Sequence, residues 1–597
     1  MIAAQSEAPA RRPETEPQSI VELLRRFPSV RSLVEGLDAD FVRDLDASLE
    51  WFGVSAGTVL FEEGDPAPDA FILTSGQIGV FVGAEPIRKM IAKISAGQLV
   101  GEMALVSDAP RSATVVAMHD SDLVRLPRST VELLLQRNPE ATRFMLRLLT
   151  ARLRSTSRAP VAAETIDSIA IVPLGPPIDN LGAALNWLSR QVNPITLSAT
   201  EEEDQWRHTD PLDRRLFAYI ADDHNSAWAR HCIRQADRVI FLAHADIGVV
   251  GRDAIAFAAQ LHRDMDLVLV NKADATLATG GTDWLPYFQG EHILHVRLGN
   301  EADYARVLRL VSRTGICLVF SGGGARGFAH LGVVKAFAES GIPIDAVGGT
   351  SIGALVAGGV ALGLSPDGVA AGIRRAFVDT NPVRDFTLPF VSLARGRKAS
   401  RLLREGYGEA LIENLWKTFF CISANLATGK AVMHQSGRLW RALSASTAIP
   451  GIFPPQMENR QVLVDGGILD NFPTNAMRSL RRGQVIGVEV SSGTSITAAD
   501  VAIEEKSLLW LLLRGRREVP SIVRILMCSG MVNSEAQTAA SRAAADILIQ
   551  PTLGGIDMLS FKAFDRAIEA GYRAALEAIP RLELPNQVEP LRARPAA

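Results

Sequence analysis

Two glycine-rich stretches carry residue types that could do chemistry together: Ser321-Gly322-Gly323-Gly324-Ala325-Arg326-Gly327 and Gly349-Thr350-Ser351-Ile352-Gly353. Each follows an apolar run suited to a buried strand and precedes a helical pattern. Glycine lets a backbone turn sharply and approach a neighbour with no Cβ in the way. The second stretch therefore reads as a nucleophile elbow, with Ser351 exposed at a strand-to-helix turn between Gly349 and Gly353. The first reads as an oxyanion loop: backbone N–H groups of Gly322, Gly323, Gly324 and Ala325 are the candidate donors, with Arg326 stabilising the loop. A serine nucleophile beside such donors points to acyl-ester hydrolysis.

A serine needs a base. The triad order of an α/β-hydrolase would place a histidine late in the chain, but the only histidine after Ser351 is His434, and none of the ten lies in the last quarter. A carboxylate is available instead in Val462-Leu463-Val464-Asp465-Gly466-Gly467, where a short apolar strand delivers Asp465 into a tight turn. Asp465 is the candidate base, and His434 reads as a strand-end or pocket-rim residue. No ligand cluster accompanies the serine, so no metal is expected.

The Gly-Gly-Gly-x-Arg-Gly loop, the Gly-x-Ser-x-Gly elbow and the Asp-Gly-Gly turn, in this order, resemble the patatin-like phospholipase family. The segment Ala445-Ser446-Thr447-Ala448-Ile449-Pro450-Gly451-Ile452-Phe453-Pro454-Pro455 is similar to its neuropathy target esterase branch. The resemblance covers the last half of the chain and residues near 30 to 155. It implies a three-layer α/β hydrolase domain over 314–577, a Ser351–Asp465 dyad, no cofactor, and hydrolysis of phospholipid or lysophospholipid esters.

Near the N-terminus, Gly57, Gly64, Gly76, Gly97 and Gly101 punctuate short apolar runs such as Thr58-Val59-Leu60-Phe61, the pattern of a small β-roll over 20–155. Val100-Gly101-Glu102-Met103-Ala104-Leu105 followed by Pro110-Arg111-Ser112-Ala113 resembles the phosphate cassette of cyclic-nucleotide-binding domains. The resemblance implies Glu102 on a ribose hydroxyl and Arg111 on a cyclic phosphate, with Gly101 and Ser112 beside them, and cyclic AMP or cyclic GMP as a regulator. The alternative is a cyclic-nucleotide sensor or scaffold whose hydrolase is inactive; the intact Ser351 and Asp465 argue against it.

Residues 165–310 alternate apolar runs with helical stretches, which suggests a small parallel α/β connector. Asn271-Lys272-Ala273-Asp274 imitates a guanine-reading motif, but no phosphate loop accompanies it. Asp222-Asp223-His224 and His231-Cys232 fit no zinc spacing.

At 597 residues the chain is too long for one core. With 62 basic and 66 acidic residues, a net charge of −4, it has no global basic field of the kind that advertises nucleic acid. Four scattered cysteines suit a reducing compartment. The stretch 1–19 lacks a signal-peptide core, and no run reaches the roughly 18 apolar residues of a membrane span. A cytoplasmic protein touching membrane peripherally is expected, with Leu508 to Arg517 readable as either interfacial or core. The stretch 578–597 reads as a Pro-rich tail.

Overall fold

The computed structural model describes residues 19–83, 89–103, 109–156, 166, 168–175, 217–381, 385–388, 390–458, 460–490 and 539–582. Residues before Ser19, Ala104 and Leu105 of the cassette, Leu508 to Arg517, Cys528 and the tail beyond Leu582 lie outside the described residues. The chain divides into two compact units. One takes in the described parts of Met1–Leu174, Val192–Ile240 and Gly251–Met265; the other holds Gly175, Phe241–Val250 and the described parts of Asp266–Ala597.

In the first unit, helices Ile20–Arg25, Arg31–Val34 and Ala39–Ser48 precede the β-roll. Ser19 and Asp38 start the first and third of these by accepting from the backbone N–H groups of Glu22 and Phe41. The roll is two antiparallel four-stranded sheets. One runs in the order Glu50–Val54, Ser121–Pro127, Asp69–Ser75, Leu99–Val100, and the other Val59–Phe61, Thr114–Ala117, Gln77–Val82, Lys89–Ser95. Their inward positions, among them Leu73, Ile78, Val115 and Leu123, form its core. Two helices, Arg128–Arg137 and Pro139–Thr156, follow the roll. Pro139 has no N–H with which to continue the first, and the Asn138 amide at the break donates to the carbonyls of Ser32, Leu33 and Glu35.

The strands expected between 165 and 310 form as Ser168–Pro173, Arg238–His244, Asp264–Asn271 and Ile293–Arg297, and Phe217–Ile220 adds a fifth. Within the first unit Phe217–Ile220 runs parallel to Ser168–Pro173; within the second, Leu267–Asn271 runs parallel to Ile293–Arg297. Asn271 is spent on structure, accepting from the Thr279 N–H and donating to the Leu269 carbonyl. Asp223 likewise accepts from the N–H groups of Asn225 and Ser226 ahead of helix Ala227–Gln235.

The second unit is built on an eight-stranded sheet ordered Gln456–Glu458, Gln461–Asp465, Thr418–Asn425, Ala346–Thr350, Gly315–Phe320, Gly483–Val488, Ile547–Ile549, with Lys430–His434 also paired to Thr418–Asn425. The five strands from Thr418–Asn425 to Ile547–Ile549 are parallel, and those at the other end are antiparallel. On one face Ile316, Leu318, Phe320, Ile486 and Val488 meet helix Ala329–Glu339 through Leu331, Val334 and Phe337. Helix Ile352–Ala361, apolar all round, is buried at every residue. On the opposite face Phe472, just before helix Thr474–Ser479, packs over Gly487, giving helices on both sides of the sheet. No helix among the described residues is long and apolar enough to cross a membrane.

Helices Ala329–Glu339 and Phe564–Ala578 cross where neither carries a side chain. A Cβ at Gly332 would lie 1.9 Å from the Ile568 carbonyl oxygen, and one at Gly571 1.9 Å from that of Ala329. Since the obstacle is backbone, it cannot move aside without separating the helices. Gly332→Val or Gly571→Val is expected to cost about 2–4 kcal/mol, seen as a lower urea midpoint by circular dichroism; an unchanged midpoint would contradict this crossing.

Candidate active site

The strand Ala346–Thr350 ends at Ser351, and helix Ile352–Ala361 begins directly after it. Ser351 makes the turn with φ 56° and ψ −124°, a conformation rare for a residue with a side chain. Such strain costs about 1–3 kcal/mol and needs surroundings that enforce it. Here the turn passes over the end of Gly315–Phe320 so closely that a Cβ on Gly349 would lie 2.6 Å from the Phe320 carbonyl oxygen, and one on Gly353 2.4 Å from the same atom. The Ser351 N–H donates to Ser446 Oγ at 3.1 Å.

Strand Gln461–Asp465, antiparallel to Thr418–Asn425, carries Asp465 to the elbow. The Ser351 hydroxyl donates to Asp465 Oδ2 at 2.6 Å, and the Gly467 N–H donates to Oδ1 at 2.8 Å. Asp465 is only 6% exposed. Burial pushes its carboxyl up to about 6, against the opposing pull of the Ser351 and Gly467 bonds. The group is thus ionised at neutral pH yet holds a proton more readily than an ordinary carboxylate.

The same turn holds the glycine loop. The Gly322 N–H donates to the Asn471 carbonyl at 3.0 Å, while Thr350 Oγ1 donates to the Asp470 carbonyl at 2.8 Å. Two of the expected oxyanion donors are therefore committed elsewhere: Gly322 to Asn471, and Ala325 to the Met558 carbonyl at 2.8 Å. The physical reason is anchoring, since the loop is tied at both ends by these bonds. The N–H groups of Gly323 and Gly324 have no acceptor among the described residues. Gly324 sits at φ 56°, where a Cβ would strike the Met558 carbonyl at 2.4 Å. Arg326 braces the loop from behind, donating to the carbonyls of Val490 and Ile556. His330, wholly buried and driven down to about 4 by desolvation, is neutral and bonds the Ser321 carbonyl at 2.9 Å.

His434 ends strand Lys430–His434 and bonds Ser423 Oγ at 2.7 Å, with no bond to Ser351 or Asp465. Ser351 lies in the wall of a cavity of about 180 Å³ whose other walls are almost wholly apolar, among them Leu355, Phe377, Leu403, Ile452 and Met558. An extended apolar group could enter there with its polar end at the serine. Sequence reasoning assigned no role to Ser446 or Asn471, although Ser446 stands inside a stretch that carries the resemblance and Asn471 lies four residues beyond the Asp-Gly-Gly turn.

In the roll, Arg111 is 4% exposed and reaches back over the Phe61 ring, 3.9 Å from its centroid. Its guanidinium donates to the carbonyls of Gly101 at 3.1 Å and Asp69 at 2.7 Å, and its Nε–H is buried without an acceptor among the described residues. Gly101 has φ 85°, and a Cβ there would strike Arg111 Nη1. Glu102 is buried beside them and Ser112 is exposed.

Residues 318–478 match the patatin-like phospholipase family, and residues 53–138 match the cyclic nucleotide-binding domain. Along 96% of its length the chain is 29% identical to an uncharacterized NTE family protein of Mycobacterium tuberculosis, covering 99% of that protein. It is 26% identical to lysophospholipase NTE1 of Cryptococcus neoformans over 95% of this chain and 40% of that one. It is 24% identical to mouse patatin-like phospholipase domain-containing protein 6 over 92% and 47% respectively. The chain thus joins a cyclic nucleotide-binding β-roll to a patatin-like α/β hydrolase domain, and is an enzyme of the hydrolase class. Within that class its likeness runs to the neuropathy target esterase branch of the patatin-like phospholipases.

Ser446 is wholly buried and takes the elbow N–H. Ser446→Ala leaves that N–H unsatisfied at a strained turn, at a cost of about 1–3 kcal/mol. Lowered thermal stability together with slower ester turnover is expected, and wild-type values in both assays would remove Ser446 from the support of the elbow.

Proposed function

We propose that this chain hydrolyses the carboxylic esters of phospholipids and lysophospholipids by two-step acyl transfer. The observation that carries the proposal is the 2.6 Å bond from the Ser351 hydroxyl to Asp465 at the wall of an apolar cavity. Ser351 Oγ attacks the ester carbonyl carbon as Asp465 takes the hydroxyl proton. The carbonyl oxygen, now negative, accepts from the N–H groups of Gly323 and Gly324, each such donor contributing about 3 kcal/mol in other hydrolases. Collapse of the adduct expels the alcohol, which recovers the proton from Asp465. Water, deprotonated by the same carboxylate, then attacks the acyl-serine, and collapse frees the fatty acid as Asp465 returns the proton to Ser351 Oγ. An acyl chain in the apolar cavity would hold the carbonyl at Ser351, which favours lipid esters over small polar ones. The fungal relative's name, lysophospholipase, agrees with that substrate class.

In the same proposal the roll binds cyclic AMP or cyclic GMP, the cyclic phosphate at Arg111 and the ribose at Glu102, with Gly101 and Ser112 at the edge. The buried Nε–H of Arg111, without an acceptor among the described residues, supports it, because an unsatisfied cationic donor is costly until an anion meets it. Occupancy alters hydrolysis only insofar as the two activity states bind nucleotide differently.

Ser351→Ala and Asp465→Asn are each expected to abolish hydrolysis of a lysophospholipid with the fold intact, the double variant being little worse than either alone. His434→Ala should keep most of the rate; a loss as deep as that of Ser351→Ala would revive a triad. Because Asp465 must be ionised to take the proton, kcat/KM should fall as pH drops through about 6. A rate flat from pH 7 to 5 would exclude Asp465 as base.

Calorimetric titration with either nucleotide should show binding that Arg111→Ala weakens roughly tenfold or more. Absence of heat at millimolar nucleotide would reduce the domain to a roll that binds none.

A further inference from the structure

The hydrolase unit carries an apolar surface that its interior does not explain. Residues 385–388 and 390–395 form a short hairpin, with Phe386 bridged to Ala394, the Thr387 N–H donating to the Leu393 carbonyl and the Arg395 N–H to that of Asp385. Its large side chains face water: Phe386 is 69% exposed, Leu388 72%, Phe390 90% and Val391 69%. Four large apolar side chains bared within six residues are unlike the scattered leucines of an ordinary surface.

Two features show what covers them. The hairpin is stitched to the wall of the cavity that contains Ser351, because the N–H groups of Leu393 and Ala394 donate to the carbonyls of Gly451 and Ile452, and Ile452 lines the cavity. The helix that follows, Arg397–Tyr407, turns Leu402, Leu403 and Tyr407 into the cavity and carries Arg397, Arg401 and Arg404 exposed. Leu364 and Leu559, also cavity residues, are themselves 46% and 42% exposed, so the cavity opens to the surface through apolar groups. The second feature is charge. Residues 385–407 hold five basic and two acidic side chains, and the exposed Arg395 and Arg397 have no acidic partner among the described residues. Bared aromatics flanked by arginines match the interface of an anionic bilayer, where apolar groups enter the acyl boundary and cations meet the headgroup phosphates.

We propose that the hairpin of residues 385–388 and 390–395 and the outer face of helix Arg397–Tyr407 seat this unit on an anionic phospholipid surface beside the mouth of the cavity. The inference builds on the lipid-ester reading above and adds the surface from which the substrate enters. An acyl chain leaving such a bilayer would pass the apolar rim without crossing water.

The test is sedimentation of the full chain with phosphatidylcholine vesicles and with vesicles of equal parts phosphatidylcholine and phosphatidylglycerol, alongside hydrolysis of a soluble short-chain ester. Phe386→Ser with Phe390→Ser should weaken partition onto mixed vesicles by roughly tenfold or more, since each phenylalanine loses its burial. Arg395→Glu with Arg397→Glu should erase the preference for the anionic vesicles. Both variants should keep wild-type turnover of the soluble ester, which shows them folded and the cavity intact. Wild-type vesicle binding by both variants would overturn the proposal. So would a phenylalanine variant that converts a dimer to a monomer in sedimentation velocity while binding vesicles normally, which would assign the surface to a second copy. A wild-type chain inert toward both the soluble ester and a lysophospholipid would sink the hydrolytic reading instead, and the vesicle data would still decide the docking surface.

Discussion

Everything at the candidate active site hangs on one strained residue. Ser351 holds φ 56° between a parallel strand and a buried helix, and a turn that tight can be made only where the chain beneath it leaves room. Gly349 and Gly353 supply that room by letting the turn rest on the Phe320 carbonyl. The strain is balanced by burial of the whole following helix and by the Ser446 hydroxyl on the Ser351 N–H. The reward is geometric: a hydroxyl fixed at the end of the sheet rather than free on a mobile loop.

The Asp-Gly-Gly turn is the hub that converts this geometry into chemistry. Asp465 meets the serine, the Asp470 carbonyl receives Thr350 of the elbow strand, and the Asn471 carbonyl receives Gly322 of the glycine loop. The elbow and the glycine loop are thereby held against this turn by one side-chain pair, one hydroxyl on a carbonyl and one backbone bond. Burial then sets the protonation behaviour. Desolvation lifts Asp465 above the ordinary carboxylate range, and desolvation likewise keeps His330 uncharged under the loop.

The roll and the hydrolase unit offer opposite surroundings to a ligand. In the roll an arginine is buried against a phenylalanine ring and backbone carbonyls, and its Nε–H has no acceptor among the described residues. In the hydrolase unit the cavity walls are apolar and the polar groups few, so a group held there would be held by shape and burial. The bared hairpin continues that apolar character out to the surface.

The sequence by itself determined the chemistry-bearing motifs and the fold class. Glycine positions and strand-length apolar runs are local properties, and local steric rules read them directly: the elbow at Ser351, the turn at Asp465 and the roll punctuated by glycines, while the absence of a late histidine is read from the whole chain. Tertiary structure alone decided which backbone donors stay available. Gly322 and Ala325 are as suitable as Gly323 and Gly324 by type, but Asn471 and Met558 take their N–H groups, and those partners lie about 150 and 230 residues away in the chain. The role of Ser446, the turning of His434 toward Ser423, and the exposure of the hairpin of residues 385–388 and 390–395 have the same origin. Each depends on which distant segment packs alongside, and no local pattern encodes a neighbour that only folding brings near.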